Sequence, residues 1–92
     1  MKAVVWSKAS LDSLETIYNF IYQSSPQNAE MLVETLLNLG DSLVNFPLRN
    51  PKEPIFNDDS IRFIPKWNFK IVYHIEEKRI LIINIYSTKM NW

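Results

Sequence analysis

The sequence predicts an α+β fold of the order β-α-α-β-β-β, with a helical hairpin packed on one face of a mainly antiparallel four-stranded sheet. Between residues 8 and 46, apolar residues recur every three or four positions, as in helices with one buried stripe. From residue 61 onward polar and apolar residues alternate as in strands, and a proline-rich stretch separates the two regions. We expect residues 1–92 to form one domain, because so short a chain cannot bury two cores.

The first strand and the first helix are predicted from the N-terminal residues. KAVVW, residues 2–6, is a β-branched and aromatic run typical of a strand. Ser7 then suits a helix N-cap, since its hydroxyl can accept a hydrogen bond from a free backbone amide. The helix is predicted over residues 8–22, and its apolar stripe contains Leu11, Leu14, Ile17, Tyr18 and Ile21.

A second helix is predicted to begin after Ser25, with Pro26 at its first position, where a missing amide hydrogen is tolerated. Its apolar spacing continues to about Phe46, and Pro47 stops it. The link between the helices is so short that they must form an antiparallel hairpin. Gly40 inside this helix costs about 1 kcal/mol relative to Ala, and we expect a closely approaching neighbouring backbone to compensate.

Residues 47–60 contain three prolines with turn-forming Asn and Asp, which predicts an extended loop. The three strands that follow are predicted over residues 61–65, 69–75 and 80–88. The turns KWN and EEKR separate them, as in an antiparallel meander of hairpins.

Strand periodicity predicts which face of the sheet the helices cover. The covered set is expected to contain Ile61, Phe63, Phe69, Ile71, Tyr73, Ile75, Leu81, Ile83 and Ile85. The opposite face is expected to contain Arg62, Lys70, His74, Asn84, Tyr86 and Thr88, with Ile64, Val72 and Ile82 between them. This face is either a solvated surface, which antiparallel sheets commonly have, or a ligand site in which the planar fork of Arg62 binds phosphate or carboxylate.

Composition excludes several kinds of chemistry. The chain has no Cys, one His and one Gly, which excludes disulfides, thiolate metal sites, a Cys nucleophile and a glycine-rich phosphate loop. We expect neither a metal nor a cofactor. His74 could transfer a proton and Tyr86 could act as a weak acid, but a surface histidine and a packing tyrosine are equally open interpretations.

Charge and hydropathy constrain location and partners. No apolar run is long enough to span a bilayer or to serve as a signal peptide, so the cytoplasm is expected. Residues 1–46 carry a net charge of −3 and residues 47–92 a net charge of +3, leaving a formal net charge of zero. A neutral chain is a poor candidate for strong non-specific binding to a nucleic-acid backbone.

Four stretches together resemble the RelE/ParE superfamily of toxins from bacterial type II toxin–antitoxin systems. They are VVWSKASLDSLETIYNFI, SPQNAEMLVETLLNLGDSLVNFP, IRFIPKWNFKIVYHI and RILIINIYSTK, and they cover nearly the whole chain. The resemblance implies a toxin that is neutralised by a cognate antitoxin, as a homodimer or as a heterotetramer with it. It further implies growth arrest and roles such as plasmid stabilization. The RelE-like branch cleaves messenger RNA on the ribosome, whereas the ParE-like branch inhibits DNA gyrase.

The chain departs from the nuclease pattern at its last strand. Many members of the superfamily end this strand with His, two residues and Arg, but here those positions hold Tyr86 and Lys89. Together with the neutral charge, this favours a ParE-like gyrase inhibitor that is not an enzyme. The alternatives are a ribosome-dependent endoribonuclease and a degenerate toxin that only binds its antitoxin as a co-repressor.

The candidate site residues follow from the resemblance and from their positions on the strands. Those that would bind the target or a phosphate are Arg62, Lys66, Lys70, Asn84, Tyr86 and Lys89. In the nuclease alternative, the catalytic residues would be Arg62, His74, Tyr86 and Lys89. Trp67 and Trp92 are candidates for antitoxin contacts, since interfaces are enriched in aromatic residues.

Overall fold

The structure, a computed structural model, describes residues 2–88. The elements are β1 (Ala3–Trp6), α1 (Lys8–Tyr22), α2 (Pro26–Asp41), β2 (Ile61–Lys66), β3 (Phe69–Ile75) and β4 (Arg79–Ser87). The predicted order β-α-α-β-β-β is therefore confirmed. No helix within residues 2–88 has the length and apolar character needed to cross a membrane.

Both helices begin at the predicted serine caps. The Ser7 hydroxyl oxygen accepts a hydrogen bond from the Ser10 amide at 3.1 Å, and that of Ser25 accepts one from the Asn28 amide at 3.2 Å. The predicted end of the second helix is wrong, because α2 ends at Asp41 and a 3₁₀ turn, Ser42–Val44, follows it. The apolar spacing continued past this point because a 3₁₀ turn also brings every third residue to one side.

The sheet has the strand order β1-β4-β3-β2, so the first strand pairs with the last. β1 runs parallel to β4, whereas β4, β3 and β2 form the predicted antiparallel meander. A β-bulge interrupts the pairing of β3 with β4, because Val72 pairs with Asn84 and Tyr73 pairs with Ile82. Ile83 is the extra residue, and it reverses the alternation of side chains along β4.

The helices cover one face of the sheet, called here the helix face, and the core lies between them. Buried core residues are Leu14, Leu36, Leu43, Ile64, Ile71, Tyr73, Ile80, Ile82 and Ile85. The prediction that Leu81 and Ile83 belong to this core is wrong, because Ile80 and Ile82 occupy it before the bulge and Ile85 after it. A strictly alternating pattern cannot reveal such a change of phase.

Gly40 packs against neighbouring side chains. The prediction that another backbone approaches Gly40 closely is therefore wrong. A Cβ atom at Gly40 would overlap the Trp6 ring and would lie 2.8 Å from Ile82 Cδ1. The Trp6 indole also donates a hydrogen bond to Asp41 Oδ1 at 3.0 Å. The missing side chain therefore lets the indole of β1 pack directly on α2.

The predicted faces of β2 are exchanged. Residues that pair across antiparallel strands project to the same face, and Arg62 pairs with the core residue Tyr73. Arg62 and Ile64 therefore lie on the helix face, and the prediction that Ile61 and Phe63 are covered by the helices is wrong. Both phases of β2 contain apolar residues, so periodicity alone could not choose between them.

Residues 46–60, called here the edge segment, extend the sheet beyond β2. Lys52 forms an antiparallel bridge with Arg62. The Glu53 amide donates to the Ile61 carbonyl at 2.9 Å, and the Phe63 amide donates to the Pro51 carbonyl at 3.1 Å. Part of the predicted loop thus acts as a short additional strand on the outer edge of β2.

Candidate functional site

Arg62 points into the edge segment, where its donors bind backbone carbonyls. Nε donates to the Asp59 carbonyl at 3.0 Å, and one terminal nitrogen donates to the Asn50 carbonyl at 2.8 Å and the Leu48 carbonyl at 3.5 Å. Backbone carbonyls paired with a guanidinium form charge-assisted bonds, which are stronger than neutral ones. The guanidinium thus holds the edge segment against β2, and the expectation that it projects from the face opposite the helices is wrong.

Tyr73, which pairs with Arg62, holds the same segment from inside the core. Its hydroxyl donates to the Pro47 carbonyl and accepts a hydrogen bond from the Asn50 side-chain amide at 3.2 Å. Burial raises the pKa of the Tyr73 hydroxyl, while the Asn50 bond and the charge of Arg62 act in the opposite direction. The hydroxyl is therefore a neutral hydrogen-bonding group and not a proton donor for catalysis.

Lys70 forms an ion pair with Glu53, a residue that the sequence did not single out. The Glu53 side chain is 1% exposed, and Lys70 Nζ donates to its Oε1 at 3.1 Å and lies 2.8 Å from its Oε2. The ammonium also lies 4.4 Å from the centroid of the Phe63 ring. A carboxylate this deeply buried requires its counter-ion, so Lys70 is engaged within the fold. No sequence pattern marks Glu53, which stands in a proline-rich stretch.

Lys66 and Trp67 lie at the tip of the β2–β3 hairpin. Lys66 Nζ lies 4.8 Å from the centroid of the exposed Trp67 ring. Trp67 has a φ of 52°, in the left-handed region that a bulky residue rarely adopts. The indole is accessible to a partner, and its role in antitoxin binding stays a prediction.

Asn84 and Tyr86 lie at the end of β4, near α1. Asn84 Oδ1 accepts a hydrogen bond from the Ser13 hydroxyl at 2.5 Å, which turns its amide toward the helix. Tyr86 is exposed and borders an open groove of about 340 Å³ between α1 and the β3–β4 pair. The hydroxyl of Tyr86 makes no hydrogen bond within residues 2–88, so it is available to a ligand.

His74 lies on the face opposite the helices, apart from Arg62. Its Nδ1 lies 3.2 Å from Glu76 Oε2. A hydrogen bond from Arg79 is the main cause that lowers the pKa of Glu76, so this carboxyl is charged near neutral pH. The imidazole therefore has a structural carboxylate beside it, and no predicted phosphate-binding cation contacts it in the described chain.

The predicted site residues do not form one cluster. Arg62 lies on the helix face, Lys70 and His74 lie on the other face, and Asn84 contacts α1. Lys89 and Trp92 lie outside the described residues. Within residues 2–88, no group of three or more His, Asp or Glu side chains could hold a metal ion. Lys70 and Tyr86 are paired across β3 and β4, but Lys70 is engaged by Glu53, and Arg62 lies on the other face.

Comparison with known proteins connects this architecture with one family. The family described as "ParE toxin of type II toxin-antitoxin system, parDE" matches residues 4–92. The chain belongs to the ParE toxin family. A solved chain of the chromosomal ParDE toxin–antitoxin system from P. aeruginosa shares the fold of this ParE toxin, with a TM-score of 0.79. The two chains are 18% identical, and the match covers 97% of this chain and 98% of that chain. No curated protein sequence matched this chain.

Proposed function

We propose that this ParE toxin inhibits DNA gyrase by binding the enzyme as a protein partner, and that a cognate antitoxin neutralises it. The observation that carries the proposal is the engagement of Arg62 and Lys70 inside the fold. Arg62 donates to three backbone carbonyls, and Lys70 is paired with the buried Glu53. A toxin in which two candidate phosphate-binding cations are engaged by its own backbone and by Glu53 is better suited to protein binding than to RNA cleavage.

Cleavage of a phosphodiester would need cations that stabilise the transition state and a general base close to them. Arg62 and His74 lie on opposite faces of the sheet, so they cannot act on one phosphate. Tyr86 pairs with Lys70 across β3 and β4, but Lys70 is held by the buried Glu53, and the formal net charge of zero gives little attraction to ribosomal RNA. These features support a non-enzymatic toxin.

The proposed partners and location follow from membership in the ParE family. The antitoxin binds the toxin in the cytoplasm, in a heterotetramer or with a toxin homodimer, and Trp67 and Trp92 belong to the contact surface. Release of the toxin then arrests growth, and a plasmid that encodes the pair is stabilised in its host.

The test is supercoiling by purified DNA gyrase in the presence of increasing toxin. We expect inhibition by the toxin alone and full recovery when the cognate antitoxin is added. Normal supercoiling at a large molar excess of folded toxin would contradict the proposal.

Two further measurements separate the alternatives. Messages cut during translation after induction, and left intact by Arg62→Ala, would identify a ribosome-dependent nuclease in place of a gyrase inhibitor. Normal growth on overexpression without antitoxin would identify a degenerate toxin that acts as a co-repressor.

A further inference from the structure

The outer side of β2 has backbone groups that another strand could bind. Residues of a strand direct their N–H and C=O groups alternately to its two sides. The Ser60 carbonyl accepts a hydrogen bond from the Ile75 amide of β3 at 2.8 Å, so even-numbered residues face β3. Ile61, Phe63 and Pro65 therefore direct their backbone groups to the outer side. A strand edge of this kind pairs readily with another chain when nothing covers it.

Residues 50–53, called here the strap, cover this side of β2. The Glu53 amide donates to the Ile61 carbonyl at 2.9 Å, and the Phe63 amide donates to the Pro51 carbonyl at 3.1 Å. The pairing stops there, because Pro51 has no amide hydrogen to donate to the Phe63 carbonyl and a turn begins directly after Glu53. Two backbone hydrogen bonds alone would hold the strap weakly.

Side chains anchor the strap on both faces of the sheet. On the helix face, the Arg62 guanidinium donates to the Asn50 carbonyl at 2.8 Å. On the opposite face, the Glu53 carboxylate lies 2.8 Å from Lys70 Nζ. None of these four residues belongs to the apolar core. The strap can therefore be released without the loss of a core side chain.

We propose that the strap is a displaceable cover that keeps the toxin monomeric. Its release lets β2 pair antiparallel with β2 of a second copy of this chain. This inference goes beyond the proposed function, since it concerns the toxin alone and holds for any cellular target.

The outer side of β2 is complementary to itself, which favours a second copy as the partner. In an antiparallel pair centred on Phe63, each Phe63 amide faces the Phe63 carbonyl of the other copy. Each Ile61 amide faces a Pro65 carbonyl, and Pro65 has no amide hydrogen that would need a partner. Two copies related by a two-fold axis thus satisfy each other's outward donors, as in a closed dimer.

The side chains favour the same register. With Phe63 at the centre, Arg62 lies opposite Ile64 of the other copy, whereas a pair centred on Arg62 would bring two guanidinium groups together. Like charges directly opposite each other destabilise antiparallel strands, and aromatic pairs such as the two Phe63 rings stabilise them. The dimer is therefore expected in this one register.

Two charge variants test whether the strap controls the pairing. Glu53→Lys places a second ammonium beside Lys70, so the strap cannot close. The charge swap Glu53→Lys/Lys70→Glu restores an ion pair with reversed signs and is the matched control. Sedimentation equilibrium over a range of concentrations gives the mass of each protein, and thermal unfolding verifies that each one is folded.

We expect wild type and the charge swap to have the mass of one chain and Glu53→Lys to have twice that mass. In Glu53→Lys, the amide at position 53 should exchange its hydrogen about tenfold faster or more, because it has lost the Ile61 carbonyl. The Phe63 amide should stay protected, because the second copy replaces the strap as its acceptor.

A disulfide locates the contact. Phe63→Cys introduces a single thiol, since the chain has no other Cys. Opposite residues of a hydrogen-bonded antiparallel pair have Cα atoms about 5.5 Å apart, a distance that a disulfide spans. Oxidation should therefore link two copies of Phe63→Cys when Glu53→Lys is also present, and should leave Phe63→Cys alone as single chains.

Three results would overturn the inference. They are a monomeric Glu53→Lys protein in which the amide at position 53 exchanges fast, a dimer that Phe63→Cys does not link, and disulfide formation by Phe63→Cys alone. If Glu53→Lys does not fold, Glu53→Ser removes the anchor without adding a charge and is measured in the same way. Gyrase inhibition is not among the readouts, so a failure of the proposed function leaves these results unchanged.

Discussion

The two edges of the sheet are stabilised by different interactions. At the β1–β4 edge, Trp6 packs against Gly40 and Ile82, and apolar burial holds the helices to the sheet. At the β2 edge, Arg62 and Lys70 hold the edge segment through hydrogen bonds and an ion pair. The first edge is thus held by apolar packing, whereas the second is held by polar contacts that position the edge segment.

The difference explains why the β2 edge, judged by its sequence alone, resembles a catalytic site. Strand-borne Arg and Lys residues look available to a phosphate when their partners are unknown. Here the partners are backbone carbonyls and Glu53, which belong to a proline-rich segment without regular periodicity. A basic residue on a strand is therefore a weak indication of nucleic-acid chemistry until its internal partners have been excluded.

The largest expected effect is at the ion pair of the β2 edge. Lys70→Met should lower the free energy of unfolding by about 3 kcal/mol, because it leaves Glu53 buried without a counter-ion. Replacing both partners, in Glu53→Leu/Lys70→Met, should restore stability to within about 1 kcal/mol of wild type, since an apolar pair needs no counter-ion. Urea unfolding of the three proteins measures both values.

Equal destabilisation of the single and double variants would contradict the interpretation of this pair. It would mean that the Lys70 stem or the Glu53 backbone, and not the paired charges, holds the edge segment.

At the apolar edge, Gly40→Ala should lower the free energy of unfolding by about 1–2 kcal/mol. The added methyl overlaps the Trp6 ring, and overpacking of about 1–3 kcal/mol exceeds the gain of about 1 kcal/mol in helix propensity. In a Trp6→Leu background, which removes the ring, the same change should be neutral or stabilising. A Gly40→Ala protein as stable as wild type would show that the indole can move without loss.

A smaller effect on stability is expected when the pH is lowered, through the carboxyl group of Asp58 in the edge segment. Hydrogen bonds from the Ser60 hydroxyl and amide to Asp58 lower the pKa of its carboxyl from the ordinary value of 3.8. The folded state therefore favours the carboxylate, and this contribution is present above pH 3.8 and is lost as pH falls through the lower folded-state value. Asp58→Asn should reduce the slope of stability against pH between about pH 4 and 2, measured by thermal unfolding. An unchanged slope would exclude Asp58 as a contributor.

Much of the fold could be predicted because apolar periodicity and cap residues determine it. Ser7 and Ser25 mark the helix starts, and alternation after residue 61 marks the strands. The faces of β2 could not be predicted, because both alternating sets of its residues contain apolar side chains, Ile61 and Phe63 in one and Ile64 in the other. Those of β4 could not be predicted because the bulge at Ile83 reverses the alternation. Such details depend on pairing between strands, which one strand's sequence does not contain.

Of the candidate site, the residues could be named but their contacts could not. The sequence identifies Arg62 and Lys70 by type and position, yet the Asn50 carbonyl that binds Arg62 lies 12 residues earlier in the chain and the Glu53 carboxylate that binds Lys70 lies 17 residues earlier. No motif marks Glu53 or Asn50, so only the folded arrangement reveals that the Glu53 carboxylate binds Lys70 and the Asn50 carbonyl binds Arg62. The likeness of the sequence to a toxin superfamily nevertheless indicated the ParE family, which the comparison confirmed.

Hydrogen exchange in Arg62→Lys tests most directly whether the guanidinium holds the edge segment. Lys keeps the charge, but its single nitrogen cannot occupy both the position of Nε, which donates to Asp59, and that of the terminal nitrogen, which donates to Asn50. The amides of Glu53 and Phe63, which join the segment to β2, should exchange about tenfold faster or more, whereas the Ser7 amide, bound to Ile82 at the other edge, should be unchanged. Unchanged exchange at Glu53 and Phe63, or an equal increase at Ser7, would contradict this role for Arg62.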